Sequence, residues 1–130
     1  MLIIGAGGIG LRHIKGYTQT GRARLSVVEP DDKKSTDMAQ KFALVNKYQR
    51  IDEVDLKSFD LAVICAPAHT HLPLMTKCIA ADLPFMVEKP LSVSMEGVHV
   101  VLEKVRAKNL LARVGFTRRV ADELQQLHRD

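Results

Sequence analysis

The first ten residues constrain the fold most. An apolar run at residues 1–4 stops at Gly5-Ala6-Gly7-Gly8-Ile9-Gly10, and residues 11–20 then read as a helix that closes at Gly21. Strand, G-x-G-x-x-G turn and helix in that order form the unit with which a parallel sheet holds a phosphate. Gly5 permits the tight turn, Gly7 lets the backbone approach a pyrophosphate, and Gly10 lets helix and strand pack closely. Gly8 and Ile9 complete the loop, where the free N–H groups of the helix start meet negative charge. Alone this spacing is a weak signal. Here an acid, Glu29, stands 19 residues beyond Gly10 at the end of the next strand, placed to accept hydrogen bonds from the ribose hydroxyls of an adenosine. Its charge repels a 2′-phosphate, which favours NAD over NADP, while Lys33, Lys34 or Arg12 could still accommodate NADP. S-adenosylmethionine enzymes also use an acid after the second strand, so these features leave that ligand open.

Further strands are predicted at residues 24–29, 43–48, 60–65, 85–87 and 110–114. The run 61–65, unbroken and apolar behind Asp60, has the look of a strand buried on both faces. Helices are predicted at 33–42, after a Pro30-Asp31-Asp32 stop and cap, and over 70–81, where Leu74, Met75, Cys78 and Ile79 recur at helical spacing. Another is predicted at 95–108, capped by Ser94, with Val98, Val101, Leu102 and Val105 as a core stripe; residues 51–59 read as one helical turn between loops. The alternation of strand and helix predicts an α/β domain, a doubly wound parallel sheet covered by helices on both sides. With 130 residues, 46% of them hydrophobic, the chain supplies one core and has no room for two full domains.

Composition narrows the partners. The net charge is +4, but acids interleave with Lys and Arg at 29–34 and 52–57, which argues against a nucleic-acid surface. No apolar stretch approaches the roughly 20 residues of a membrane span, and residues 1–4 lack the basic leader and cleavage site of a signal peptide. A cytoplasmic protein without a membrane partner is the expectation. Cys65 and Cys78 fit neither a C-x-x-C pair nor a zinc spacing and are expected to be buried free thiols. His69 and His71 lack a third ligand at a recognisable spacing, so no metal is expected, and His13 reads as a packing or surface residue.

The chemistry is expected after the fourth and fifth strands, where open α/β sheets place their ligand groups. Ala66-Pro67-Ala68-His69-Thr70-His71-Leu72-Pro73 follows one, and Glu88-Lys89-Pro90 the next. A lysine in that place can polarise a carbonyl or exchange a proton with an alcohol while hydride moves, although the residues alone favour an ordinary surface lysine.

In these pieces the chain resembles the Gfo/Idh/MocA family of oxidoreductases. Residues 3–10 with Arg12-His13 look like its opening, Ile64-Cys65-Ala66-Pro67 with His71 and Pro73 like its A-T-P-N-x-x-H-x-P segment, and Val87-Glu88-Lys89-Pro90-Leu91 like its E-K-P motif. Gly115-Phe116-Thr117-Arg118-Arg119 looks like its G-F-N-R-R strand end. The resemblance implies an NAD(P)-binding Rossmann domain at 1–118 and the start of a second, substrate-binding domain at 119–130, whose Val120, Leu124 and Leu127 share a helical face. It implies that Lys89 is catalytic, that Pro90 follows a cis bond, that Ala66, Pro67 and Glu88 line the cofactor cleft, and that His71 lies close to the dinucleotide. Ala68 and Thr117 depart from the Asn often found there, which weakens any inference about contacts to the nicotinamide half. Arg118-Arg119 fits a ligand contact and a solvated strand end equally. The implied activity is hydride transfer between NAD(P) and a sugar, polyol or related hydroxy compound, in a full-length protein that is a candidate homo-oligomer, with little turnover by this portion alone. A dinucleotide-binding regulatory protein is the alternative reading, and an S-adenosylmethionine enzyme a third, against which the lysine motif counts.

Overall fold

Successive residues of β1 (Leu2–Ile4) point to opposite faces, and both faces are dry: Leu2 and Ile4 join one apolar cluster and Ile3 the other. A strand with no polar side fits only inside a sheet covered on both sides. In the computed structural model, which describes residues 1–116, β1 lies between β2 (Ser26–Val28) and β4 (Ala62–Ile64), with Ile4 in register with Val28 and Ile64. With β3 (Asn46–Tyr48), β5 (Phe85–Val87) and β6 (Ala112–Val114), the described residues form one parallel sheet of order β3-β2-β1-β4-β5-β6.

Among the described residues four α-helices cover it in two pairs. From α1 (Gly8–Thr20) and α2 (Asp32–Phe42), Ile14 and Met38 pack with Ile3, Val27 and Val63. From α3 (His71–Ala80) and α4 (Val98–Ala107), Met75, Cys78, Ile79 and Val101 pack on the opposite face with Leu2, Ile4, Ala62 and Ile64. The doubly wound α/β architecture expected from the sequence is the one observed. Chain order reverses between β1 and β4, which opens a crevice beyond the carboxyl ends of those two strands.

The elements depart from expectation mainly at their ends. α1 begins at Gly8 rather than at residue 11, so the last part of the glycine loop is already helical. α2 is capped as expected, the Asp31 carboxylate accepting the Lys34 N–H at 3.0 Å. Residues 51–59 hold two single 3-10 turns, Ile51–Glu53 and Leu56–Ser58, instead of one helical turn. The fourth helix starts at Val98, and Ser94 does not cap it. Gly97 takes φ 74° immediately before it, a left-handed step that breaks any helical path from residue 95, and Met95 is left 80% exposed. Of its expected core stripe, Val98 and Val101 are buried while Leu102 is exposed. Both cysteines are free and buried. Burial pushes each thiol up to about 12, at Cys65 with a further contribution from the nearby Glu88 charge. The expectations for Thr117, Arg118, Arg119 and the second-domain start at 119–130 lie outside the described residues.

Candidate functional site

The parallel register places one residue past each strand along a common edge. Gly5 donates its N–H to Val28, Cys65 to Ile4, Glu88 to Ile64 and Gly115 to Val87, while Glu29 donates to Tyr48, so these residues continue the ladder by one step. All the sequence motifs therefore converge on the carboxyl edge of the sheet.

The four glycines of the loop divide into two kinds. A Cβ on Gly5, which has φ +91°, would stand 2.7 Å from the Ala66 nitrogen, and one on Gly10 would stand 2.0 Å from the Gly5 carbonyl oxygen. Those two are demanded by the protein's own packing. Gly7 and Gly8 face the opposite situation: neither has a positive φ, and a Cβ on either would meet nothing within 4 Å. The chain does not need glycine there for its own fold, and both residues line a cleft of about 720 Å³. An open, side-chain-free backbone at the start of α1, where the N-cap Gly7 brings no side chain to cap the helix, is the form that admits an anionic group against main-chain N–H donors.

Glu29 closes the β2 side of this cleft and is almost wholly buried. Its Oε2 accepts the Ala6 N–H at 2.8 Å, its Oε1 the Asp31 N–H at 3.3 Å, and Lys34 Nζ approaches Oε2 to 3.5 Å. The carboxylate thus braces the glycine loop from below, and since it has about four acceptor positions it keeps capacity for hydroxyl donors from the cleft. The opposite wall is Cys65, Ala66, Pro67 and Thr70, with Leu74 of α3 behind. Ala66, Pro67, Gly5, Gly7, Gly8, Ile9 and Glu29 are therefore brought together as expected. Gly10 is the packing residue beneath them.

Lys34, named from the sequence as a cation that could meet a 2′-phosphate, is part of the wall; Gln49, Arg50, Ile51 and Asp52 just beyond β3 also line it and were not singled out from the sequence. The rule that ligands gather at the carboxyl ends of strands could have flagged the latter, but β3 is short and polar and gives little signal. Among the described residues no group of three or more metal-ligating side chains comes together, and no helix is long and apolar enough to cross a membrane.

Glu88 and His71 were expected at the cofactor, His71 at the start of the helix after β4, where it stands. Neither lines the cleft. Glu88 is buried, its Oε1 2.8 Å from His13 Nε2 of α1 and its Oε2 accepting the Lys89 N–H at 3.3 Å. Gly115 gives it room, since a Cβ there would crowd the carboxylate at 3.1 Å. His71 is 1% exposed, with Nε2 2.8 Å from the Ala66 carbonyl oxygen and Nδ1 2.9 Å from that of Pro90. Both side chains are occupied by the protein because buried polar atoms must find partners: for His71 the carbonyl groups of two adjoining turns, for Glu88 the His13 ring and the Lys89 N–H. His13, read from the sequence as packing or surface, is the residue that ties α1 to this region. Lys89 is exposed on the turn beyond β5, outside the cleft lining, and the Lys89–Pro90 bond is cis as expected.

The residues present fit a dinucleotide: a cleft of cofactor size, an open backbone for a pyrophosphate, and a buried carboxylate where ribose hydroxyls would reach it. Comparison with known proteins agrees. Inositol 2-dehydrogenase of Rubrobacter xylanophilus is 28% identical over 120 residues, covering 90% of this chain and 35% of that protein. Two solved structures share the fold. Scyllo-inositol dehydrogenase of Lactobacillus casei, with bound NAD(H) and scyllo-inositol, superposes with a TM-score of 0.89 at 18% identity over 98% of this chain and 39% of its own. UDP-N-acetylglucosamine 3-dehydrogenase of Acidithiobacillus ferrooxidans gives 0.87 at 21% identity over 98% and 40%. The chain thus spans little more than a third of the length of the curated relatives it matches. The family model described as an oxidoreductase family with an NAD-binding Rossmann fold matches residues 1–116, and the chain belongs to that family, Gfo/Idh/MocA.

Proposed function

We propose that this chain is the cofactor-binding part of an NAD-dependent dehydrogenase that oxidises or reduces a sugar, polyol or related hydroxy compound. The observation that carries the reading is the pair Gly7 and Gly8, whose missing side chains serve no packing need and open the backbone toward the cleft. In this reading the N–H groups at the start of α1 hold the pyrophosphate, Glu29 holds the adenosine ribose, and Ala66 and Pro67 bound the far side. Nicotinamide, when bound, supplies the hydride acceptor or donor. Lys89, at the neighbouring strand end, is the residue to exchange a proton with the substrate hydroxyl or carbonyl oxygen. The inositol and sugar-nucleotide dehydrogenases named above support a polyhydroxylated substrate, with its recognition, and assembly into a homo-oligomer, supplied by the parts of the relatives that this chain does not span. The cytoplasm is the compartment that fits this reading and the two free thiols.

Calorimetric titration with NAD⁺, NADP⁺ and S-adenosylmethionine at one salt concentration tests the proposal. Tightest binding to NAD⁺ supports it; tightest binding to S-adenosylmethionine, or to none of the three, overturns it.

A further inference from the structure

His71, like Glu88, is a motif residue to which the proposed function gives no part. It is the first residue of α3, 1% exposed, and its ring bridges two strand-end turns: the Ala66 carbonyl at the cleft wall and the carbonyl of Pro90, the residue after Lys89. A carbonyl oxygen only accepts. Each contact is therefore a hydrogen bond only when the facing ring nitrogen carries a proton, one in a neutral ring and two in an imidazolium. For Pro90 that nitrogen is Nδ1 in either form.

The Lys89 ammonium makes no hydrogen bond or ion pair among the described residues, so what the fold fixes is the backbone of its turn, from which the side chain departs. That turn is tied at one end by Glu88, which takes the Lys89 N–H and reaches His13 of α1. At the other end the tie is His71.

We propose that His71 is a positioning residue, donating its Nδ1 proton to the Pro90 carbonyl and so fixing the turn that carries Lys89 against the Ala66 edge of the cofactor cleft. The importance of that positioning rests on the role given to Lys89 above, but the tie itself is testable without cofactor.

Two substitutions separate the two bonds. The amide nitrogen of Asn reaches the place of Nδ1, and that of Gln the place of Nε2. In the full 130-residue chain without cofactor, competitive acetylation followed by peptide mapping reads the reactivity of each lysine, with the other lysines as internal controls. His71→Asn is expected to leave Lys89 as in the unaltered chain, while His71→Gln changes its reactivity by about 3-fold or more, the size that one hydrogen bond supports. A purely structural role would treat the two variants alike. Equal Lys89 reactivity in the two variants, or a change in Asn alone, overturns the proposal. Should either variant fail to fold, ¹⁵N imidazole spectra of the unaltered chain decide it: a proton on Nδ1 of His71 supports the tie, and a bare Nδ1 overturns it. Neither readout depends on NAD⁺ binding, so failure here is distinct from failure of the proposed function.

Discussion

The turn after β1 and the turn after β5 reach the same edge of the sheet in opposite ways. After β1 the chain offers backbone. Side chains are absent at Gly7 and Gly8, and the loop is shaped by close packing of Gly5 and Gly10 with Glu29 bracing Ala6 from beneath. After β5 it offers a side chain, Lys89, on a turn held by the side chains of residues remote in sequence. A main-chain cradle for an anion takes its donors from one stretch of ten residues, and remote residues such as Ala66 and Glu29 only pack against it. A directed side chain needs outside support, because a free lysine loses considerable rotamer entropy on being held in one direction.

The largest effect that would break this comparison is expected at Gly10. Its Cβ would lie 2.0 Å from a backbone oxygen with no freedom to move away, so Gly10→Ala should cost at least the roughly 3 kcal/mol at the upper end of overpacking. A thermal melt close to that of the unaltered chain would show that the loop yields more readily than its packing implies. Gly7→Val is the opposite case: the melt should hold, while NAD⁺ affinity falls ~100-fold, a loss of roughly 3 kcal/mol. Retained affinity in calorimetry would mean that the open backbone is not where the ligand lies.

Glu29→Gln sharpens the cradle further, because the amide oxygen can still accept from Ala6 while the charge is gone. The ratio of NAD⁺ to NADP⁺ affinity should fall about tenfold, or about 1.4 kcal/mol, with Lys34 then free to meet a 2′-phosphate. An unchanged ratio would assign the discrimination elsewhere.

Between the two turns lies Cys65, and on the buried face of α3 lies Cys78. Both thiols titrate higher in the fold than the ordinary value of 9.0, at about 12. Above pH 9.0 the unfolded chain releases these protons and the folded chain keeps them, so the unfolded state is favoured as pH rises. Their contribution is fully present below 9.0 and is lost progressively toward about 12, with a slope on the order of 1 kcal/mol per pH unit for each thiol. Urea melts across that range should show the decline, and Cys78→Ala should remove about half of the part due to thiols.

The smallest effect is expected at Lys89. Because its side chain is exposed and makes no hydrogen bond or ion pair among the described residues, Lys89→Met should leave the melting temperature within about 2 °C and NAD⁺ binding nearly unchanged. Turnover in the full-length enzyme should be lost. A clear loss of stability in this variant would show that Lys89 supports the fold and would blur the contrast drawn above.

By itself the sequence determined the order of strands and helices, the parallel class of the sheet and the identity of the glycine loop. These follow from signals carried within a few residues: apolar runs of strand length, helical periodicity in residues 70–81, and glycine spacing beside Glu29. Where the local signal was ambiguous, as in Ser94 before a run with helical periodicity, the left-handed Gly97 moved the helix start to Val98. Only the tertiary structure decided which motif residues face the cleft and which stand behind it. Glu88 turns to His13, 75 residues away, and His71 to Pro90, 19 residues away. Buried polar atoms take whatever partners the fold brings within hydrogen-bond distance, and that proximity is set by the register of β1, β4 and β5, to which no local pattern refers.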